Sequence, residues 1–169
     1  KFGPRAFYEK TAFIYPRDTL GLRFLQREAL KPGVLEFGPE GCFALDLRDE
    51  TRAADWRKRH GLAEEDYICV VPRLRYTPYY RMKNLPRSAG DYEIDALNDA
   101  SAAQDHAALR ELIVRWVRGT GARVVACPEM TYQIATAKEQ LIDPLPDDVR
   151  KRVVWRDTFW LPDEAAALY

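Results

Sequence analysis

Apolar residues in this chain fall in short unbroken runs, and proline, glycine and charged clusters punctuate them. TAFIY at 11–15 reads as a short buried strand stopped by Pro16. Asp18 or Thr19 then supplies a short oxygen side chain able to cap a helix. Leu22, Leu25 and Ala29 recur at helical spacing, and Pro32 and Gly33 end the run. Residues 34–37 predict a second strand, followed by a turn at 38–41 and an apolar run at 42–45. This first part, residues 1–47, reads as the end of an α/β domain. Residues 48–66 are densely charged, lack a strong apolar stripe, and read as a linker with a short helix over 53–59 closed by Gly61.

From Tyr67 the pattern becomes regular. YICVV at 67–71 predicts a strand that ends at Pro72. Residues 72–104 read as irregular, too long for an ordinary connection, and predict a lid with Gly90 and the run DASAAQD giving it freedom. The strongest helix is expected over 105–118, where Leu109, Leu112, Ile113, Trp116 and Val117 form a broad apolar face. Asp105 suits its start, and Gly119 and Gly121 its end. RVVAC at 123–127 predicts the next strand, 132–142 a helix, 152–155 a third strand, and 162–169 a final helix. The strands are continuous apolar runs, as in a parallel sheet covered on both faces. The expected fold is α/β, with residues 67–169 as the first half of a Rossmann-like domain.

Composition narrows the picture. The 169 residues are 47% hydrophobic, enough for one domain or parts of two. Lys plus Arg equals Asp plus Glu at 26 each, so no overall basic field points to nucleic acid. Cys42, Cys69 and Cys127 lie far apart; Cys69 and Cys127 sit in apolar runs and read as reduced, buried thiols. No cysteine pair has zinc-ligand spacing and there are two histidines, so no metal site is expected. No apolar run approaches the roughly 20 residues of a transmembrane helix. There is no signal peptide, and the Lys start and the helix-like run at Tyr169 read as the ends of a fragment.

Parallel sheets bind ligands just past the carboxyl ends of their strands. That rule singles out Arg73 and Arg75 after the first strand, Glu129 after the second, and Arg156 with Asp157 after the third. Arginine suits a phosphate or carboxylate because its planar fork donates two parallel hydrogen bonds and stays charged. The alternative for each arginine is an ordinary ion pair. Glu129 is a candidate base or hydroxyl-binding group, or a helix-start carboxylate. Tyr76, Tyr79 and Tyr80 offer faces for a sugar ring, or anchor the loop. His60 and His106 suit helix ends rather than catalysis. The chain has no G-x-G-x-x-G, Walker loop, G-x-S-x-G or H-E-x-x-H.

Five segments together resemble the polysaccharide pyruvyl transferase family: YPRDTLGLRFL, FGPEGCFALD, YICVVPRLRYTPYY, VRGTGARVVACPE and DPLPDDVRKRVVWRDTFWLPDEA. The similarity runs from about residue 11 to residue 169 and rests on order and spacing more than on any single motif. It implies a two-Rossmann architecture of the glycosyltransferase GT-B type. It also implies transfer of the enolpyruvyl-derived group of phosphoenolpyruvate, a donor substrate and not a cofactor, onto a sugar of a cell-surface polysaccharide. The implied location is cytoplasmic, at or near the membrane surface. Arg73 falls where the family tends to carry an arginine after the first strand of its second domain. Arg17 and Asp18 match the family's arginine-aspartate at a helix start, which faces or supports the cleft. The family's later histidine segment has no counterpart here, so no catalytic residue is assigned. A nucleotide-sugar glycosyltransferase of the same architecture and a non-catalytic sugar-binding or scaffolding module are the alternatives.

Overall fold

Contacts divide the chain at Asp46 into two units, in a computed structural model that describes residues 4–169. The first unit holds α1 (Pro4–Glu9), β1 (Phe13–Ile14), α2 (Thr19–Arg27), β2 (Val34–Leu35) and a 3-10 turn at Gly41–Ala44. β1 and β2 pair in parallel, with Phe13 opposite Val34. Two glycines are required by close packing: a Cβ on Gly33 would lie 2.3 Å from the Ala12 carbonyl oxygen, and one on Gly38 2.6 Å from the Tyr15 Cβ. The strand expected to be buried at 11–15 is not, and other aromatic residues of this unit are also open. Phe13, Tyr15, Phe24, Phe37 and Phe43 are all exposed. Two strands of two residues and helices of six and nine cannot cover both faces of their own apolar surface.

The second unit, Leu47–Tyr169, begins with α3 (Glu50–Arg59). The segment read as a linker differs in the structure. Ala53, Trp56 and Leu62 are buried in a core shared with Val125, Val154 and Trp160. The periodicity was weak because only one narrow stripe of this highly charged helix faces inward. Asp49 caps α3 by accepting from the Arg52 N–H at 2.9 Å.

β3 (Tyr67–Val70) follows, then α4 (Tyr79–Met82), α5 (Ala89–Asp105) and α6 (Ala107–Thr120). The expected irregular lid over 72–104 is therefore corrected: most of it is helix. Ser88 and Asp91 form a reciprocal capping box that starts α5. Its buried residues are Asp95, Asn98, Ser101 and Ala102, at i, i+3, i+6 and i+7. A helix whose inner face is polar gives no hydrophobic signal. Asp105 closes α5 instead of opening α6, and His106 lies buried at the junction with Nδ1 2.7 Å from the Ala102 carbonyl oxygen. Gly121, at φ 72°, ends α6 in the left-handed conformation.

β4 (Arg123–Ala126), α7 (Tyr132–Thr136) continuing into a π-helical stretch (Ala137–Ile142), α8 (Asp147–Arg150), β5 (Val153–Trp155) and α9 (Pro162–Leu168) complete the unit. The strands run parallel in the order β3-β4-β5, with Val70, Ala126 and Trp155 aligned across the sheet. Ile113 and Val117 of α6, Leu141 and Val149 pack on one face with Val70 and Val124. Trp56 of α3 and Leu168 of α9 cover the other face with Val125 and Val154. The Tyr67 hydroxyl donates to the Leu168 carbonyl at 2.8 Å, so α9 ends beside the first residue of β3. The class is α/β, with small parallel sheets. Among the described residues no helix is long and apolar enough to cross a membrane.

Candidate functional site

Because β3, β4 and β5 are parallel and in register, their carboxyl ends lie along one edge. Each strand there runs into a polar side chain: Arg73 after β3, Glu129 after β4, Arg156 after β5. The structure brings the first two together. The Arg73 guanidinium donates to Glu129 Oε2 at 2.7 Å, with 59% of the Arg73 side chain exposed. That hydrogen bond, and then the Glu129 charge, raise the Arg73 pKa above the ordinary arginine value. The guanidinium is thus fixed at the sheet edge by one carboxylate and open to solvent.

The loop carrying Glu129 is held by a residue the sequence reading missed. Gln133, wholly buried, accepts from the Glu129 N–H at 2.7 Å and the Met130 N–H at 2.9 Å. Its spacing of four from Glu129 is the signal that would have found it. The Gln133 side-chain amide nitrogen, the Tyr132 hydroxyl and the Trp160 indole N–H are buried without a hydrogen-bond partner. Buried polar groups are overwhelmingly paired in native proteins, and Arg57 Nε and His106 Nε2 are likewise unpaired elsewhere among the described residues. Next to the Glu129 loop lies a hollow of about 210 Å³ lined by Pro128, Glu129, Phe159, Trp160, Ala165 and Tyr169. Burial, then the neighbouring Cys127 and Glu129, hold the Tyr169 hydroxyl well above the usual tyrosine range. An aromatic wall with a carboxylate and a hydroxyl suits a small polyhydroxylated ring.

The other predicted residues are placed differently. Arg75 makes a two-point ion pair with Asp105, at 3.1 and 2.6 Å. This pairing raises the Arg75 pKa and, together with Ser101, lowers that of Asp105. Arg75 therefore ties the loop after β3 to the end of α5. Tyr76 serves the same tether: its backbone N–H and carbonyl bond the Asn98 side-chain amide at 3.0 and 2.9 Å. Tyr80 is an anchor too, its hydroxyl donating to the buried Asp95 at 2.5 Å. Burial pushes the Asp95 carboxyl up, but bonds from Tyr80, Arg81 and Arg87 outweigh it and leave the pKa lowered.

Arg156 is not free to take an anion. Its side chain is 10% exposed and forms a two-point pair with Glu164 at 2.9 and 3.2 Å. The guanidinium carbon also sits 4.4 Å from the Trp160 ring centre and 5.6 Å from that of Trp56. Burial against two indoles requires a permanent counter-charge, and Glu164 supplies it. In the first unit, Arg17 pairs with Glu40, which raises the Arg17 pKa. Asp18 caps α2, accepting from the Gly21 N–H at 2.6 Å. Cys69 and Cys127 are free thiols; the adjacent Cys69, and then burial, push the Cys127 thiol far above its ordinary range. Among the described residues no group of three or more His, Cys, Asp or Glu side chains is placed to hold a metal ion. No family model, no curated protein and no solved structure matches this chain.

Proposed function

We propose that this protein takes part in pyruvyl transfer, holding phosphoenolpyruvate at Arg73 and a sugar hydroxyl near Glu129. The observation that carries the reading is the Arg73–Glu129 pair at neighbouring strand ends. A dianionic donor competes with Glu129 for the guanidinium, and the freed carboxylate is then available to a hydroxyl in the aromatic hollow. The resemblance to polysaccharide pyruvyl transferases supplies the identity of the donor. The helices on both sheet faces favour the finer description as a Rossmann-like unit of a GT-B type architecture.

In this reaction the donor methylene is protonated to a methyl group, leaving a cationic carbon stabilised by its ester oxygen. A sugar hydroxyl adds there and loses its proton. Phosphate departs, a second hydroxyl adds and loses its proton, and a pyruvate ketal and phosphate remain. Arg73 contributes by holding the anionic donor as charge redistributes, a role in which preorganised donors are worth most. The proton donor is not assigned to any residue of this chain.

The test is calorimetric titration with phosphoenolpyruvate. The wild type should bind, and Arg73→Ala should weaken binding roughly 10- to 100-fold, the loss of one charge-assisted bond pair. Binding of a nucleotide sugar in place of phosphoenolpyruvate would transfer the argument to glycosyl transfer. Unchanged affinity in Arg73→Ala removes Arg73 from the site.

A further inference from the structure

A second hollow, of about 400 Å³, opens between α3 and the segment after β5, within the size range of small-molecule sites. Arg52, Trp56 and Arg59 of α3 and His60, which caps its end, line it. They fall at i, i+4, i+7 and i+8, so a single helix face presents them. Asp157 and Thr158 line it from the segment after β5. We propose that this hollow binds a phosphate monoester of a polyol, a sugar phosphate, independently of the Arg73 edge.

Several groups around the hollow are already occupied. Arg156 and Glu164 satisfy each other and form, with Trp56, a rigid floor. Arg52 is shared loosely with Asp49 at 3.4 Å and Asp163 at 3.9 Å. Arg59 uses only its Nε, which donates to the Asp55 carbonyl at 3.3 Å. Its two terminal nitrogens have no partner among the described residues. His60 is fixed at both ends of its ring geometry: it stacks on Trp56 with ring centres 4.2 Å apart, and Nδ1 lies 2.8 Å from the Trp56 carbonyl oxygen. Nδ1 therefore carries a proton, and Nε2 is the nitrogen left for a ligand. The carboxylate of Asp157 and the hydroxyl of Thr158 likewise have no partner among the described residues.

These leftovers divide by chemistry. Arg59 and the outer face of Arg52 are donors that suit a phosphate, which the guanidinium fork matches in shape, while His60 Nε2, with the proton on Nδ1, accepts from a hydroxyl. Asp157 repels a bare phosphate but accepts from hydroxyls, and Thr158 both donates and accepts. An inorganic anion satisfies only the first group and a neutral sugar only the second. A sugar phosphate satisfies both. Trp56 has no free face here, because His60 covers one side and Trp160 lies 5.3 Å away. Trp56 therefore offers a nucleotide base no stacking face, and the polar groups around it favour the polyol.

The experiment titrates the whole chain with glucose 6-phosphate, inorganic phosphate and glucose, following tryptophan fluorescence and heat. Glucose 6-phosphate should bind at least about tenfold tighter than either other probe, one charge-assisted hydrogen bond being worth that factor or more. Arg59→Ala and His60→Ala should each lose about that factor, with the urea midpoint unchanged for the exposed Arg59. Asp157→Asn should erase the preference for glucose 6-phosphate over phosphate. Arg73→Ala should leave all three titrations unchanged, which separates this site from the strand-edge reading. Equal weak binding of the three probes, or an Arg59→Ala variant that binds like wild type, overturns the proposal.

Discussion

Substituting Glu164→Ala should be among the costliest single changes in the second unit. The variant removes two charge-assisted hydrogen bonds, at 2.9 and 3.2 Å, from a guanidinium that is only 10% exposed. What remains for Arg156 is the Thr158 carbonyl at 3.2 Å, the Phe159 carbonyl at 3.5 Å and two indole faces. Indole contacts return about 0.5–2 kcal/mol, less than the bonds removed, and stranding one member of a buried pair costs about 3–5 kcal/mol. With a urea slope of about 2 kcal/mol/M the midpoint should fall by about 2 M. The assay is urea unfolding followed by tryptophan fluorescence, since Trp56 and Trp160 flank the charge. Replacing both partners, Arg156→Met with Glu164→Leu, should recover most of the loss, because no uncompensated charge is left. A Glu164→Ala cost below about 1 kcal/mol, or a double variant as unstable as the single one, would refute the reasoning.

Gln133→Leu keeps the volume but leaves the Glu129 and Met130 N–H groups unbonded, and should cost about 1–3 kcal/mol and speed amide exchange at both. Gly33→Ala places a methyl carbon 2.3 Å from a carbonyl oxygen and should abolish the β1–β2 pairing, visible as lost amide protection at Val34. The first unit, with its aromatic residues exposed, should exchange its amides faster than the β3-β4-β5 sheet. Asp95 and Asp105 have folded pKa values below the unfolded one, so their stabilisation is complete above about pH 4–5 and lost as pH falls through the lowered values. Asp105→Asn should flatten that part of the acid dependence of the urea midpoint; an unchanged profile counts against the Arg75–Asp105 tether.

What the sequence made legible follows from burial chemistry. β3, β4 and β5 announced themselves because strands covered on both faces are continuously apolar, and the strand-end rule then put Arg73 and Glu129 on one edge. α5 stayed hidden because its inner face is polar: Asp95 bonds to Tyr80 and Arg87, Asn98 to the Tyr76 backbone, and Ser101 to the Asn98 carbonyl. The Ser88–Asp91 spacing was the one local clue. α3 was legible as a short helix over 53–59, but its charges obscured the inward stripe of Ala53 and Trp56 that packs it into the core. Arg156 was located correctly at a strand end, but its partner arrives eight residues later through a loop that folds back. Only three-dimensional closure shows that the charge is already spoken for. The exposed apolar residues of β1 illustrate the converse: an apolar run predicts a strand, and coverage depends on elements that the run does not specify.

The central claim is that Arg73, alone among the arginines singled out at the strand ends of the sheet, stands ready for an anion. The most direct measurement is a parallel phosphoenolpyruvate titration of the wild type, Arg73→Ala and Arg75→Ala by calorimetry. The account predicts binding by the wild type and by Arg75→Ala, and a loss of roughly 10- to 100-fold for Arg73→Ala. Equal affinity of all three proteins, or no binding by the wild type, would contradict it.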